Sequence, residues 1–157
     1  MRLLTKGEMH EYMTYCIELA KQAEGIIPRP HVGAVVLAED GEIIGEGYKS
    51  FIDGTKFTIH AEKMAIENTE DSDKKPFHLI TTLEPCIRKS KNQLFSSSCE
   101  LIVERGIKNV IFGLNDNSAT VYNGKGMRFL RKNGIDVFNY EGLSSQIEEE
   151  LMGRLLV

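Results

Sequence analysis

The sequence lacks any apolar stretch long enough to span a lipid bilayer as a helix, and it turns polar by Thr5 after one Arg and two Leu. We therefore expect neither a membrane span nor a signal peptide. Cysteine is also scarce, because the 157 residues include only three, an odd number that does not suit a disulfide framework. These absences favour a reducing compartment, the cytoplasm, with the cysteines used for a metal.

An excess of positive charge is missing as well. Lys and Arg number 19 against 23 Asp and Glu, a net charge of −4, whereas a sequence-independent nucleic-acid binder usually carries a basic surface. Aromatic residues make up 8% of the chain, which also weighs against a base-stacking groove. There is no internal repeat, and the most polar segment, 68–75, is typical of a surface loop. We expect a single domain over residues 1–157, with a small-molecule partner and no membrane contact.

Periodicity in the sequence predicts ten alternating elements. A capping box at Thr5–Glu8 precedes an apolar helical stripe from Met9 to Ala20, and Gly25 is expected to end that helix. Strands are predicted at 32–38, 42–49, 78–83, 109–114 and 135–140, and further helices at 61–68, the second half of 94–105, 126–132 and 144–155. The first two strands should form an antiparallel hairpin, and the later ones, joined through helices, should be parallel. The expected fold is a three-layer α/β/α domain with a mixed five-stranded sheet.

Four residues carry the chemistry that the sequence predicts. His60, Cys86 and Cys99 are good zinc ligands, and Glu62 lies two residues beyond the histidine. Three protein ligands leave the fourth position of a tetrahedral zinc to water, which can then lose a proton near neutral pH. His-x-Glu with a later Pro-Cys and a second Cys is the pattern of the zinc-dependent deaminases, although twelve residues separate the cysteines here and two in the general signature.

Each of these features is weak alone. A lone His-x-Glu is common, and a lone cysteine is usually a small buried hydrophobe. Cys16 lies on the apolar stripe of the first helix, so we assign it to the core. The remaining histidines have no metal-binding context and are expected to pack or to lie on the surface: His10, His31 and His78. Residues two apart on a helix point roughly 200° apart, so His60 must lie at a helix boundary if it is to share a pocket with Glu62.

The chain resembles the cytidine deaminase-like superfamily, and within it the deaminase domain of the bifunctional riboflavin-biosynthesis deaminase/reductase. The similar segments are Pro28 to Val36, Gly45 to Tyr48, Thr82 to Cys86, Gly106 to Val110, Gly124 to Gly126 and Gly134 to Val137. The resemblance implies that His60, Cys86 and Cys99 hold zinc, that Glu62 shuttles protons, and that the fourth and fifth strands are parallel. It also implies a homodimer.

Three basic residues depart from the family pattern. Arg29 replaces an asparagine, and Lys49 and Arg88 replace histidines. We expect these residues, together with Ala61, to contact the substrate, and their charge favours an anionic one. A loop over 89–98 replaces a shorter family loop; its lysines are either solvated or near the substrate. Because these basic residues stand where the family places neutral or titratable contacts, we expect the riboflavin-pathway intermediate to be a poor substrate. The replaced loop, and the absence of a reductase domain after it in the sequence, favour the same expectation.

The sequence thus predicts a zinc-dependent hydrolytic deaminase that releases ammonia from a small amino-substituted heterocycle. The expected substrate is a pyrimidine or pteridine-like base that carries phosphate, such as a phosphorylated pyrimidine or a related nucleotide. Two alternatives remain open. The first is a deaminase acting on a base within RNA or DNA, which would need a basic, aromatic-lined groove. The second is a non-catalytic binding module stabilised by zinc, which would have no need of Glu62.

Overall fold

The computed structural model describes residues 3–23, 25, 27–52, 54, 55, 57–87, 97–115 and 124–153. Its elements follow in chain order: α1 (Lys6–Ala20), β1 (Gly33–Leu37), β2 (Ile43–Tyr48), β3 (Ser50–Phe51), β4 (Thr58–Ile59), α2 (Ala61–Glu67), β5 (His78–Leu83), α3 (Ser98–Glu104), β6 (Asn109–Leu114), α4 (Lys125–Lys132), β7 (Asp136–Asn139) and α5 (Ser144–Leu151). None of the helices in these ranges is long and apolar enough to cross a membrane.

The first helix begins as the sequence predicts and ends a little earlier. Thr5 Oγ1 accepts a hydrogen bond from Glu8 N at 3.1 Å, and Thr5 N donates to Glu8 Oε1 at 3.0 Å, which completes the capping box. The α-helix stops at Ala20, and a 3₁₀ turn over Lys21–Ala23 carries the chain toward Gly25. Tighter 3₁₀ turns are common where an α-helix ends.

Five strands form one mixed sheet in the order β2-β1-β5-β6-β7. β1 is antiparallel to both β2 and β5, while β5, β6 and β7 run parallel to one another. The mixed five-stranded sheet and its parallel later strands are therefore confirmed. β3 and β4 form an additional antiparallel pair that the sequence did not predict.

Helices cover both faces of this sheet. α1 packs on β1 and β5 and contacts α5, whereas α2 packs on β1 and β2 and contacts α3, which in turn contacts α4. All five residues of β1 are buried, as expected for an apolar strand covered on both sides. The three-layer α/β/α architecture is confirmed.

Two glycines in β2 bring α2 close to the sheet. A Cβ on Gly45 would overlap the carbonyl oxygen of Ala65, and one on Gly47 would overlap the carbonyl oxygen of Ala61. A strand glycine commonly marks such a close backbone approach. The contact at Gly47 fixes the first turn of α2, where the predicted catalytic residues lie.

Candidate active site

His60 and Glu62 flank the start of α2. His60 is the N-cap residue, with φ −72° and ψ 150°, so its backbone is extended and the helix begins only at Ala61. Glu62 lies in the first helical turn. Both side chains line the same cavity, which confirms that the histidine lies at the helix boundary.

The cavity has a volume of about 150 Å³. Three separate parts of the chain form its walls: the approach to β1, the end of β2 with the start of α2, and the end of β5. Its lining consists of Pro30, Val32, Lys49, His60, Ala61, Glu62, Leu83, Glu84 and Cys86. A mostly apolar pocket with a few convergent polar groups is the usual form of a small-molecule site.

Glu62 is a buried carboxylate with an altered acidity. Burial raises its pKa, and the nearby His60 together with hydrogen bonds from its surroundings opposes that rise. Thr81 Oγ1 donates to Glu62 Oε1 at 3.1 Å, and Ser98 supplies a further side-chain hydrogen bond. A carboxyl group with a raised pKa is a stronger proton acceptor than a free one, which suits general acid–base catalysis.

A backbone hydrogen bond links the two candidate metal-binding cysteines. Cys86 lies three residues beyond the end of β5, and Cys99 lies in the first turn of α3, which Ser97 caps by accepting a hydrogen bond from Glu100 N. Cys99 N donates to Cys86 O at 3.1 Å. The third cysteine, Cys16, is buried in the core, where its thiol donates to Ile80 O at 3.4 Å, so its assignment to the core is confirmed.

The predicted ligands are of the types that zinc prefers, although their side chains do not converge on one point. Among the described residues, no three His, Cys, Asp or Glu side chains form a group that could hold a metal as it stands. The Cys99 thiol donates instead to Pro85 O at 3.4 Å, and His60 Nδ1 lies 3.2 Å from Ser98 Oγ. His60 and Cys86 line the cavity, and Cys99 is hydrogen-bonded to Cys86 without being a lining residue. One imidazole and two thiols are nevertheless the donor types of a catalytic zinc site.

The surroundings of Cys99 work against its thiolate form. Burial raises the pKa of the Cys99 thiol, and the neighbouring carboxylates and Cys86 raise it further. The thiolate therefore needs a nearby cation, which a bound zinc would provide.

The three basic residues have different positions. Lys49 is half-buried in the cavity wall, its ammonium group donates to Pro30 O at 3.3 Å, and burial lowers its pKa. Arg29 is exposed and is not among the lining residues; its aliphatic stem lies over Gly153. Arg88, Lys89 and Lys91 lie outside the described residues. Ala61 lines the cavity, as expected of a substrate contact.

Several residues of the site were not found from the sequence. Pro30, Val32 and Leu83 give the cavity its apolar walls, and Glu84 adds a second carboxylate. Glu84 is buried, and its backbone N donates to Leu114 O at 2.8 Å, so β6 holds it in place. The available signal was the position of Glu84 directly before Pro85-Cys86, because a buried carboxylate next to a metal ligand is a common partner of such sites.

A comparison with protein-family models identifies the family of the chain. Residues 6–114 match the model of the cytidine and deoxycytidylate deaminase zinc-binding region, and this range contains all four predicted metal and catalytic residues. The chain belongs to this deaminase family. It is therefore an enzyme domain of the hydrolytic deaminase class with zinc as its cofactor, as the sequence predicted. The identity of the ligands and of the proton shuttle remains a prediction.

Curated relatives and solved structures agree with this assignment. The chain is 37% identical to a diaminohydroxyphosphoribosylamino-pyrimidine deaminase of Buchnera aphidicola, over 80% of each chain. It is 38% identical to the riboflavin biosynthesis protein RibD of Actinobacillus pleuropneumoniae, covering 85% of this chain and 32% of that one. A deaminase/reductase of Thermotoga maritima superposes with a TM-score of 0.76 at 34% identity, over 93% of this chain and 40% of that one. The chain thus spans about a third of the RibD protein.

Proposed function

We propose that this chain hydrolyses the amino group of a phosphorylated pyrimidine or related nucleotide and releases ammonia. The proposal depends on one observation: the same cavity is lined by Glu62, Lys49, His60 and Cys86. The name of the Buchnera relative, a pyrimidine deaminase whose substrate bears a phosphoribosyl group, supports the same substrate class.

In the proposed mechanism, His60, Cys86 and Cys99 would hold zinc through one imidazole and two thiolates. The bound ion would supply Lewis acidity to the attack of water. Glu62 accepts the proton of the attacking water and then delivers protons to the ring nitrogen and the departing amine. Thr81 orients the Glu62 carboxyl group through its hydroxyl.

The remaining walls bind the substrate. Val32 and Leu83 offer apolar surface to the heterocycle, and Lys49 offers a cation to its phosphate. Since Arg29 is outside the lining, the argument for an anionic substrate now depends mainly on Lys49. With Arg29 outside the cavity, the sequence-based argument against the riboflavin-pathway intermediate is also weaker, since that intermediate is itself a phosphorylated pyrimidine.

Two other functions remain weaker. A deaminase of a base in RNA or DNA would need a basic groove, and the net charge of −4 argues against one. A zinc-stabilised binding module would not need a buried carboxylate on the cavity, which Glu62 provides. We further propose a single domain over residues 1–157, a homodimer, and a cytoplasmic location as the sequence predicted.

A substrate panel tests the proposal. Ammonia release is measured with free pyrimidine bases, nucleosides, nucleoside mono- and triphosphates and the riboflavin-pathway pyrimidine, for wild type, Lys49→Met and Arg29→Ala. Loss of Lys49 should raise KM for the phosphorylated compounds by roughly tenfold or more, because hydrogen bonds to charged groups contribute about 1.5–3 kcal/mol each. Arg29→Ala is the control with the smaller effect. Equal turnover of neutral nucleosides and phosphorylated forms, unaffected by Lys49→Met, would overturn the anionic substrate.

A further inference from the structure

The first turn of α4 lies directly against the cysteine pair. The Cys99 thiol lies 3.4 Å from Pro85 O and 3.8 Å from Gly126 O, so one sulfur touches the backbone of both segments. Met127 N donates to Glu84 Oε2 at 3.5 Å, which attaches the same helical turn to the residue before Pro85. The beginning of α4 therefore packs directly against Cys99 and the Glu84–Pro85 segment.

Only a glycine fits at position 126. A Cβ there would overlap the carbonyl oxygen of Pro85 and would lie 3.2 Å from Cys99 Sγ. The Pro85 oxygen belongs to the backbone and cannot move without moving Cys86. Adding a single methyl group would thus push on both cysteine segments at once.

We propose that Gly126 is a positioning residue of the zinc site, where it lets α4 set the distance between the Cys99 thiol and the Pro85–Cys86 segment. This inference rests on the proposed ligand set. It extends the metal site beyond the zinc-binding region that the family model matches, because that match ends at residue 114. Groups that hold metal ligands in place typically change metal affinity by 10–100-fold when altered.

The test compares two glycine-to-alanine variants of the same chain. Gly126→Ala places its methyl group against Pro85 O and Cys99 Sγ. Gly113→Ala places one against Ile147, Met13 and the Thr82 carbonyl, with neither Cys86 nor Cys99 among the nearest atoms. The dissociation constant for Zn²⁺ is measured by competition with a chromogenic chelator. The Co²⁺-loaded proteins are compared by the thiolate-to-cobalt absorption band, and thermal unfolding is recorded for each variant.

We expect Gly126→Ala to weaken Zn²⁺ binding by roughly tenfold or more and to alter the cobalt band. Gly113→Ala should lower the unfolding temperature with zinc affinity and band unchanged. The proposal fails if Gly126→Ala binds zinc like wild type, or if both variants lose zinc in proportion to their loss of stability. If wild type itself binds no zinc, or if Cys99→Ser keeps it, the ligand set of the proposed function fails instead.

A second pair of variants decides the question if Gly126→Ala does not fold. Leu130→Ala loosens α4, and Ile147→Ala loosens α5; both side chains are fully buried. Leu130→Ala should weaken zinc binding severalfold, and Ile147→Ala should not, at a similar loss of stability. Wild-type zinc affinity in both would overturn the role of α4.

Discussion

The Glu62 carboxyl group shows how burial prepares a single side chain for proton transfer. Replacing it by glutamine keeps the size and an oxygen that can accept the hydrogen bond from Thr81, but it removes the acid–base group that accepts and releases a proton. We expect Glu62→Gln to retain zinc and fold and to lose at least 10²–10⁴-fold in kcat, the usual contribution of general acid–base catalysis.

Glu67→Gln serves as the matched control for this measurement. Glu67 is exposed on the same helix and forms a surface ion pair with Lys63 at 3.3 Å, a contact that contributes little to stability. Its variant should show wild-type kcat. Comparable activity of Glu62→Gln and Glu67→Gln in an ammonia-release assay would contradict the mechanism.

The three cysteines are predicted to have two different roles, metal binding and core packing. Elemental analysis of the pure protein should find about one zinc per chain. Cys86→Ser and Cys99→Ser should lose that zinc and unfold at a lower temperature, because the ion contributes to folding. Cys16→Ala should keep the metal and show only the stability loss of a small core cavity. Release of zinc by Cys16→Ala would mean that the ligands were chosen wrongly.

At the scale of elements, periodicity predicted what depends on local sequence. The five long strands lie within one or two residues of their predicted bounds, since apolar runs and turn residues mark them clearly. β3 and β4 have two residues each, too short for any repeat to be visible. The N-cap role of His60 followed from the need to direct two side chains to one pocket. The wall residues Pro30 and Leu83 were missed because only tertiary packing brings them together.

The close packing of β2 on α2 gives a prediction at this scale. Gly47→Ala should shift the first turn of α2 and cost about 1–3 kcal/mol of unfolding free energy, the usual range for overpacking. Because that turn carries Ala61 and Glu62, kcat should fall as well. Gly7→Ala is the control, since a Cβ there meets nothing closer than Thr5 Oγ1 at 3.8 Å and an alanine favours the helix. Denaturant unfolding and turnover that do not distinguish the two variants would refute the argument.

For the whole molecule, the sequence predicted the strand directions but gave no strand order. Antiparallel and parallel pairing follow from whether a turn or a helix joins two strands. The insertion of β1 between β2 and β5 depends on contacts distant in sequence, which no local pattern reveals. The same limit applies to Gly126, whose importance appears only when α4 is packed against the cysteines.

Association is the remaining whole-molecule prediction. The resemblance to the deaminase superfamily predicts a homodimer. The mass of one chain is 17.7 kDa, and light scattering at high micromolar concentration should give twice that mass. A monomeric mass under these conditions would overturn the expectation.

The hydrogen bond from Cys99 N to Cys86 O has a consequence for how such sites vary. It ties the ends of the connection between the cysteines, so the sheet and α3 fix their relative position, whatever the length of chain between them. Closure entropy grows only logarithmically, by about 0.6 kcal/mol for each doubling of length. Lengthening the connection from the two residues of the general deaminase signature to twelve costs roughly 1.5 kcal/mol on that scale. Insertions between the two cysteines therefore cost little free energy. Motif searches that demand a fixed spacing will overlook chains that share the site.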